Sequence, residues 1–154
     1  MLKPEEIAEL AHELAIVPRR QGACIEALRV VQRHRGWVSD EGVRDVAEYL
    51  DMSAEEVDSI ATFYNLIFRR PVGRHPILLC DSVSCWILRC DRVREALRQR
   101  LGIDFGETSA DGRFTLLPIQ CLGACDRAPA LMVDEDLHVG VAPDELDGIL
   151  ARYE

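Results

Sequence analysis

The 154-residue sequence lacks any long apolar run: its uncharged apolar stretches stop at about half a dozen residues, against the roughly 20 needed to cross a bilayer. The first residues, Met1-Leu2-Lys3-Pro4-Glu5-Glu6, reach acids at once and have no apolar core. A secretory leader is therefore not expected, and the expected compartment is the cytoplasm. Basic charge is also scarce, with 18 Lys and Arg against 27 Asp and Glu and a net charge of −9. Such a surface does not attract nucleic acid or an anionic membrane. Residues 1–75 carry 10 basic and 13 acidic side chains, and residues 76–154 carry 8 and 14, so a docking partner is expected to offer a basic or neutral face. Neither a Gly-rich dinucleotide fingerprint nor a recognisable nucleophile–base pair occurs. Internal repeats and low-complexity segments are missing too. With 48% hydrophobic and 29% charged residues, the composition is that of an ordinary globular protein.

What the sequence does have is six cysteines. In a reducing compartment these point to metal binding or redox chemistry before disulfides. Four of them form two pairs. Cys80 and Cys85 follow the apolar run Pro76-Ile77-Leu78-Leu79, and Cys121 and Cys125 bracket Leu122-Gly123-Ala124, with 35 residues between the pairs. Two close pairs behind strand-like segments can converge into one four-thiolate site. A set of four thiolates is the usual holder of an iron–sulfur cluster, but structural zinc tolerates similar spacings, and spacing alone does not separate the two. A thioredoxin-type dithiol needs Cys-x-x-Cys, which neither pair provides. A Rieske centre needs two His beside the cysteines, and His12, His34, His75 and His138 all lie elsewhere. Cys24 reads as a small buried hydrophobe within a helix. Cys90, five residues after Cys85, reads as an oxidisable thiol or a reserve ligand.

The flanking chain falls into two parts. Residues 1–74 carry helical periodicity, and the domain boundary is expected at about 70–75, where Pro71-Val72-Gly73 interrupts the pattern. A first helix over about 4–16 places Ile7, Leu10, Ala11 and Leu14 on one stripe, with Pro4 in its first turn. A second, from Gly22 to Arg35, aligns Ile25, Leu28 and Val31 and stops at Gly36. Ser39 opens a third, bearing Val43, Val46, Ala47 and Leu50. A capping box, Ser53-Ala54-Glu55-Glu56, opens a fourth, bearing Val57, Ile60, Ala61 and Tyr64. Four short helices need each other, or a neighbouring domain, to bury their stripes. Phe63 and Tyr64 are expected to be buried at the junction of the helices and the second part of the chain. Residues 75–154 predict a strand at 76–80, a helix at about 90–101, a strand at 113–120, a hairpin of 130–133 with 137–141, and a last helix from Pro143. The order β-α-β-β-β-α suits a thioredoxin-like α/β sandwich. The fold class is thus α+β or α/β, a helical bundle over 1–74 followed by the sandwich over 75–154. Trp86, next to a candidate ligand, is open to three roles: shielding the site, contacting a partner or packing on the core.

Ala61-Thr62-Phe63-Tyr64-Asn65, Pro71-Val72-Gly73, Cys80 with Cys85, Asp111-Gly112-Arg113-Phe114 and Cys121-Leu122-Gly123-Ala124-Cys125 followed by Ala128-Pro129 together resemble the NuoE-type subunits of respiratory complex I. These are the thioredoxin-like [2Fe–2S] ferredoxins of its NADH-oxidising module. The resemblance spans nearly the whole chain and is most specific from Cys80 to Leu137. It implies one [2Fe–2S] cluster with Cys80, Cys85, Cys121 and Cys125 as iron ligands, and no catalytic residue on this chain. Function would be one-electron exchange between a partner's FMN and this cluster, within NADH:quinone oxidoreductase, an electron-transport translocase. FMN and NADH are expected on a NuoF-type subunit, with a large NuoG-type iron–sulfur subunit as a further partner. The complex would hold the chain at the inner membrane without insertion. The alternatives are the equivalent subunit of an NAD-linked hydrogenase or formate dehydrogenase, and a zinc-stabilised adaptor. Backbone N–H groups of Ser82, Val83, Ser84, Leu122, Gly123 and Ala124 can point at the sulfurs and raise the potential, while Asp81 and Asp126 lower it. The expected potential is low, roughly −400 mV as in plant-type ferredoxins. Gly123 lets the loop backbone approach closely, and Pro129 fixes the turn into the next strand.

Overall fold

In the computed structural model, which describes residues 1–153, the chain divides into two compact units, Met1–Pro71 and a second from Val72 onward.

The first unit is four helices: α1 (Pro4–Ile16), α2 (Cys24–Arg35), α3 (Asp40–Leu50) and α4 (Ala54–Phe63). Their ends follow the local chemistry of the sequence. The Ser39 hydroxyl accepts from the Gly42 N–H at 3.1 Å to cap α3, and Ser53 and Glu56 form the reciprocal box on α4 at 3.2 and 2.9 Å. Gly36, at φ 82°, closes α2 in the left-handed conformation. Leu10, Leu28, Val31, Val46, Leu50 and Val57 form the centre of one apolar core.

The faces of α1 and α2 are rotated from the expected stripes. Ile7 and Ala11 are exposed, whereas Glu6 is fully buried and Leu14 only packs at the edge. The cause is an ion pair. Arg35 donates from Nε and Nη2 to both Glu6 carboxylate oxygens at 2.7 and 2.8 Å, and from Nη1 to Asp45 at 2.8 Å, while the Met1 amine donates to Asp45 at 2.6 Å. Turning Glu6 inward to reach Arg35 turns Ile7 out. On α2, Cys24, Ala27 and Val30 share the buried side with Leu28 and Val31, and Ile25 sits at its rim, 37% exposed. Phe63 and Tyr64 are also exposed, at 80% and 43%, stacked edge to face with ring centres 5.2 Å apart. The expectation that they are buried is therefore corrected: α4 ends at Phe63, so neither side chain continues its inward stripe.

The second unit contains β1 (His75–Cys80), α5 (Val83–Ile87), α6 (Cys90–Leu101), β2 (Phe114–Ile119), β3 (Ala130–Val133), β4 (Asp136–Val139) and α7 (Leu146–Leu150). The sheet order is β2-β1-β3-β4, with β1 and β2 parallel and the other neighbours antiparallel. A parallel neighbour requires a crossover, and α6 supplies it. Alternation assigns the two faces. Ile77, Leu79, Phe114, Leu116, Leu131 and Val133 share a core with Val93 and Leu97 of α6 and Leu146 of α7. The opposite face carries Leu78, Cys80, Ile119 and Ala130. This is the thioredoxin-like arrangement expected. At its entrance Gly73 is required by close approach: a Cβ there would stand 2.9 Å from the Arg113 carbonyl oxygen, and the Gly73 N–H donates to Thr115 Oγ1 at 2.6 Å.

Candidate metal centre

Register places the two cysteine pairs at the same end of the sheet. Cys80 is the last residue of β1 and pairs with Ile119, the last of β2, so Cys121 lies two residues beyond the neighbouring strand end. The ends of parallel strands are where open α/β sheets build their sites. The two loops are tied together there: the Asp81 N–H donates to the Ile119 carbonyl at 3.1 Å, and the Cys80 thiol lies 3.6 Å from the Gln120 carbonyl.

The first pair is buried and the second exposed. A short helix unrecognised in the sequence, α5, carries Cys85 on its inner side, where it joins Cys80, Cys90, Ile119, Ala124 and Ala130 in one cluster. Its only sequence signal was Ser82 followed by Val83, Trp86 and Ile87 at i, i+3, i+4, too short a stretch to show a period. Burial pushes the Cys85 thiol up to about 11, and the adjacent Cys80 sulfur adds to the effect. Within reach of ordinary pH it stays protonated unless a cation compensates the thiolate, which is how metal binding and deprotonation are coupled. The Ala130 backbone N–H is aimed at the same sulfur and favours the thiolate. This contact was missed in the sequence, because it depends on β3 lying beside β1.

The Cys121 and Cys125 sulfurs stand 3.7 Å apart, and the Gly123 N–H donates to Cys121 Sγ at 3.3 Å. Gly123 has φ 77°, the left-handed region that turns its N–H onto the sulfur. Of the six N–H groups expected to face the sulfurs, it is the one whose bond the structure displays. Pro129 follows a cis peptide at the entry to β3, and Val141 N–H donates to its carbonyl at 3.0 Å. All six cysteines are free thiols. Among the described residues, no three His, Cys, Asp or Glu side chains gather closely enough to hold a single metal ion. The thiols stand as two pairs, the division a binuclear cluster needs, with two thiolates to each iron. Free thiols, N–H donors aimed at sulfur and a glycine loop all fit such a group.

Cys24 is buried in α2, where desolvation pushes its thiol up to about 11. Cys90 opens α6 beside the first pair, and its thiol is pushed up by burial and by Asp91. Trp86 is 67% exposed, which rules out the core-packing role.

A small mixed sheet with a thiol pair at the end of each of its two parallel strands defines a thioredoxin-like domain with a candidate metal centre. A family model for thioredoxin-like [2Fe–2S] ferredoxins matches residues 10–154. The E subunit of the NADH-quinone oxidoreductase of Pseudomonas aeruginosa is 46% identical over 153 residues, covering 99% of this chain and 92% of that one. The protein of the same name from Escherichia coli K12 is 44% identical with the same coverage. A chain of an NAD⁺-reducing [NiFe]-hydrogenase in the air-oxidized state superposes with a TM-score of 0.72 at 20% identity, a likeness of fold. It covers 88% of this chain, which spans only 24% of the hydrogenase chain. The chain belongs to the thioredoxin-like [2Fe–2S] ferredoxin family. No helix among the described residues is long and apolar enough to cross a membrane.

Proposed function

We propose that the protein is the electron-transfer subunit of the NADH dehydrogenase module of an NADH:quinone oxidoreductase, and that Cys80, Cys85, Cys121 and Cys125 hold its [2Fe–2S] cluster. The observation that carries this reading is the 46% identity along 99% of the chain to the corresponding component of the Pseudomonas aeruginosa enzyme. Two thiol pairs at adjacent parallel strand ends support it. The bound cluster supplies a one-electron acceptor and donor. The chain's own residues provide the setting. The N–H groups of Gly123 and Ala130 stabilise charge on sulfur, and the apolar surroundings of Cys80 and Cys85 keep water from one side.

In this reading residues 75–154 form the cluster-bearing domain and residues 1–74 a helical domain that clasps partner subunits. The electron partner is a NuoF-type subunit carrying FMN and NADH, with a NuoG-type iron–sulfur subunit nearby. The chain is cytoplasmic and peripheral to the inner membrane through the complex. Relatedness in sequence favours the quinone enzyme over the hydrogenase, whose likeness at 20% identity concerns the fold. Iron and acid-labile sulfide analysis, with electron paramagnetic resonance after reduction, tests the assignment. Two irons, two sulfides and a reduced-state signal are expected; one zinc without sulfide or signal refutes it.

A further inference from the structure

The two halves of the site differ in how they can be reached. Cys121 and Cys125 lie open to solvent, whereas Cys80 and Cys85 are each 2% exposed. Iron held by all four sulfurs has to reach two thiols that solvent barely touches, so one member of the buried pair must move. Cys80 is not that member. It ends β1, an inner strand of the sheet, and is paired with Ile119 of β2, and the Asp81 N–H that follows donates to the Ile119 carbonyl at 3.1 Å. Cys85 rides on α5, and little holds α5. Its five residues are far fewer than the roughly 12–15 that a helix needs to stand alone in water. Among the described residues no side chain caps its start, and Cys85 is its single buried residue, since Val83, Trp86 and Ile87 are exposed. Just past it Arg89, at φ 72° and ψ 41°, stands in the left-handed region, which is costly for a residue with a side chain and is relieved if the chain straightens there. Beyond Arg89 the chain is buried again at Cys90, the first residue of α6. The weak segment thus runs from Ser82 to Arg89 between two fixed ends, and it carries one of the four thiols.

We infer that residues 82–89 form a flap that opens to admit iron and closes with Cys85 as its latch. On the reading that the four cysteines hold the cluster, on which this rests, the exposed Cys121 and Cys125 bind first. The flap then folds down, and the Cys85 thiol gives its proton to solvent as its sulfur joins iron. Bonding at Cys85 thereby supplies α5 with the anchor that its exposed apolar side chains do not.

The test uses the full chain, kept reduced, in cluster-free and loaded forms. Cys24 is the internal control, because it is also 2% exposed but lies in the 12-residue helix α2. In the cluster-free chain, brief treatment with iodoacetamide followed by peptide mass analysis is expected to label Cys85 at least about tenfold faster than Cys24. Amide hydrogens of residues 83–89 are likewise expected to exchange at least about tenfold faster than those of 93–101 in α6. Loading with iron and sulfide is expected to slow exchange in 83–89 by about tenfold or more and to leave α2 unchanged. Ile87→Gly, at an exposed position, is expected to raise Cys85 labelling about threefold through lost helix propensity, and Ile87→Ala to lower it about twofold. Cys85 labelled no faster than Cys24, or exchange in 83–89 as slow as in α6 without the cluster, overturns the flap. Exchange in 83–89 that stays equally fast after loading overturns the latching role of Cys85. A chain that takes up neither iron nor sulfide refutes the cluster assignment instead, and labelling of the cluster-free chain still decides whether 82–89 opens.

Discussion

Cys90 and Cys121 are both free thiols near the ends of the parallel strands, yet their surroundings assign them opposite roles. Cys121 is exposed on a loop where the Gly123 N–H donates to its sulfur at 3.3 Å, and its neighbour Cys125 is 3.7 Å away. Cys90 is buried at the start of α6 as part of an apolar cluster, and burial with Asp91 beside it disfavours its thiolate. Burial raises the Cys85 thiol as well, so what sets Cys90 apart is its place at the start of α6, outside both cysteine pairs. Cys121→Ser is therefore expected to lose or distort the visible absorption of the cluster, and Cys90→Ser to leave it unchanged. An unaltered spectrum in Cys121→Ser removes that residue from the ligand set.

At the scale of elements, what the sequence made legible was what neighbouring residues settle among themselves. Ser53 and Glu56 cap α4 as their spacing required, and α6 runs from Cys90 to Leu101 before Gly102 at φ 68°. The β-α-β-β-β-α order of the second unit and its thiol pairs were also readable, because strands, turns and cysteines are local signals. What escaped depends on distant partners. Five residues of α5 are fewer than two turns, so no period could reveal the helix or show which side of it meets the sheet. The Ala130 N–H reaches Cys85 only because β3 pairs with β1. The rotation of α1 is the clearest case, since Glu6 faces inward to meet Arg35 from 29 positions away. That pair is buried on the carboxylate side, with Glu6 at 0% and Arg35 at 18% side-chain exposure. Removing one partner of such a pair leaves the other's charge uncompensated. Glu6→Gln is expected to cost about 3 kcal/mol of stability, read as a lower urea midpoint of the helical signal. A loss under about 1 kcal/mol would assign the pair to the class of solvated surface bridges.

For the whole molecule, an acidic chain with many engaged carboxylates sets how stability follows pH. Arg35 holds the Glu6 carboxyl below the ordinary carboxylate range, and hydrogen bonds do the same for Glu56 at the α4 cap, for Asp104 under Arg94 and for Asp147 under Arg100. A group whose folded pKa is depressed adds stability that is complete above its unfolded value, about 4 for carboxylates, and vanishes as pH falls through the folded value. On the alkaline side the sign reverses. Burial raises the Cys24 thiol to about 11, and burial with the Asp136 hydrogen bond raises the Tyr153 hydroxyl to about 12. Their contribution is complete below the unfolded values, about 8.5 and 10, and is lost as pH rises toward the folded ones. Burial also disfavours the charged form of His138. Urea midpoints of the full chain are thus expected to be flat only between about pH 7 and pH 8, to slip as pH falls below about 6.5, to fall steeply below about pH 4 and to decline again above about pH 9. Cys24→Ala tests the alkaline limb separately, because it removes that thiol's titration while leaving the carboxylates untouched. A decline above about pH 9 that is as steep in Cys24→Ala as in wild type would assign it to the other groups that burial raises, Tyr153, Cys85 and Cys90.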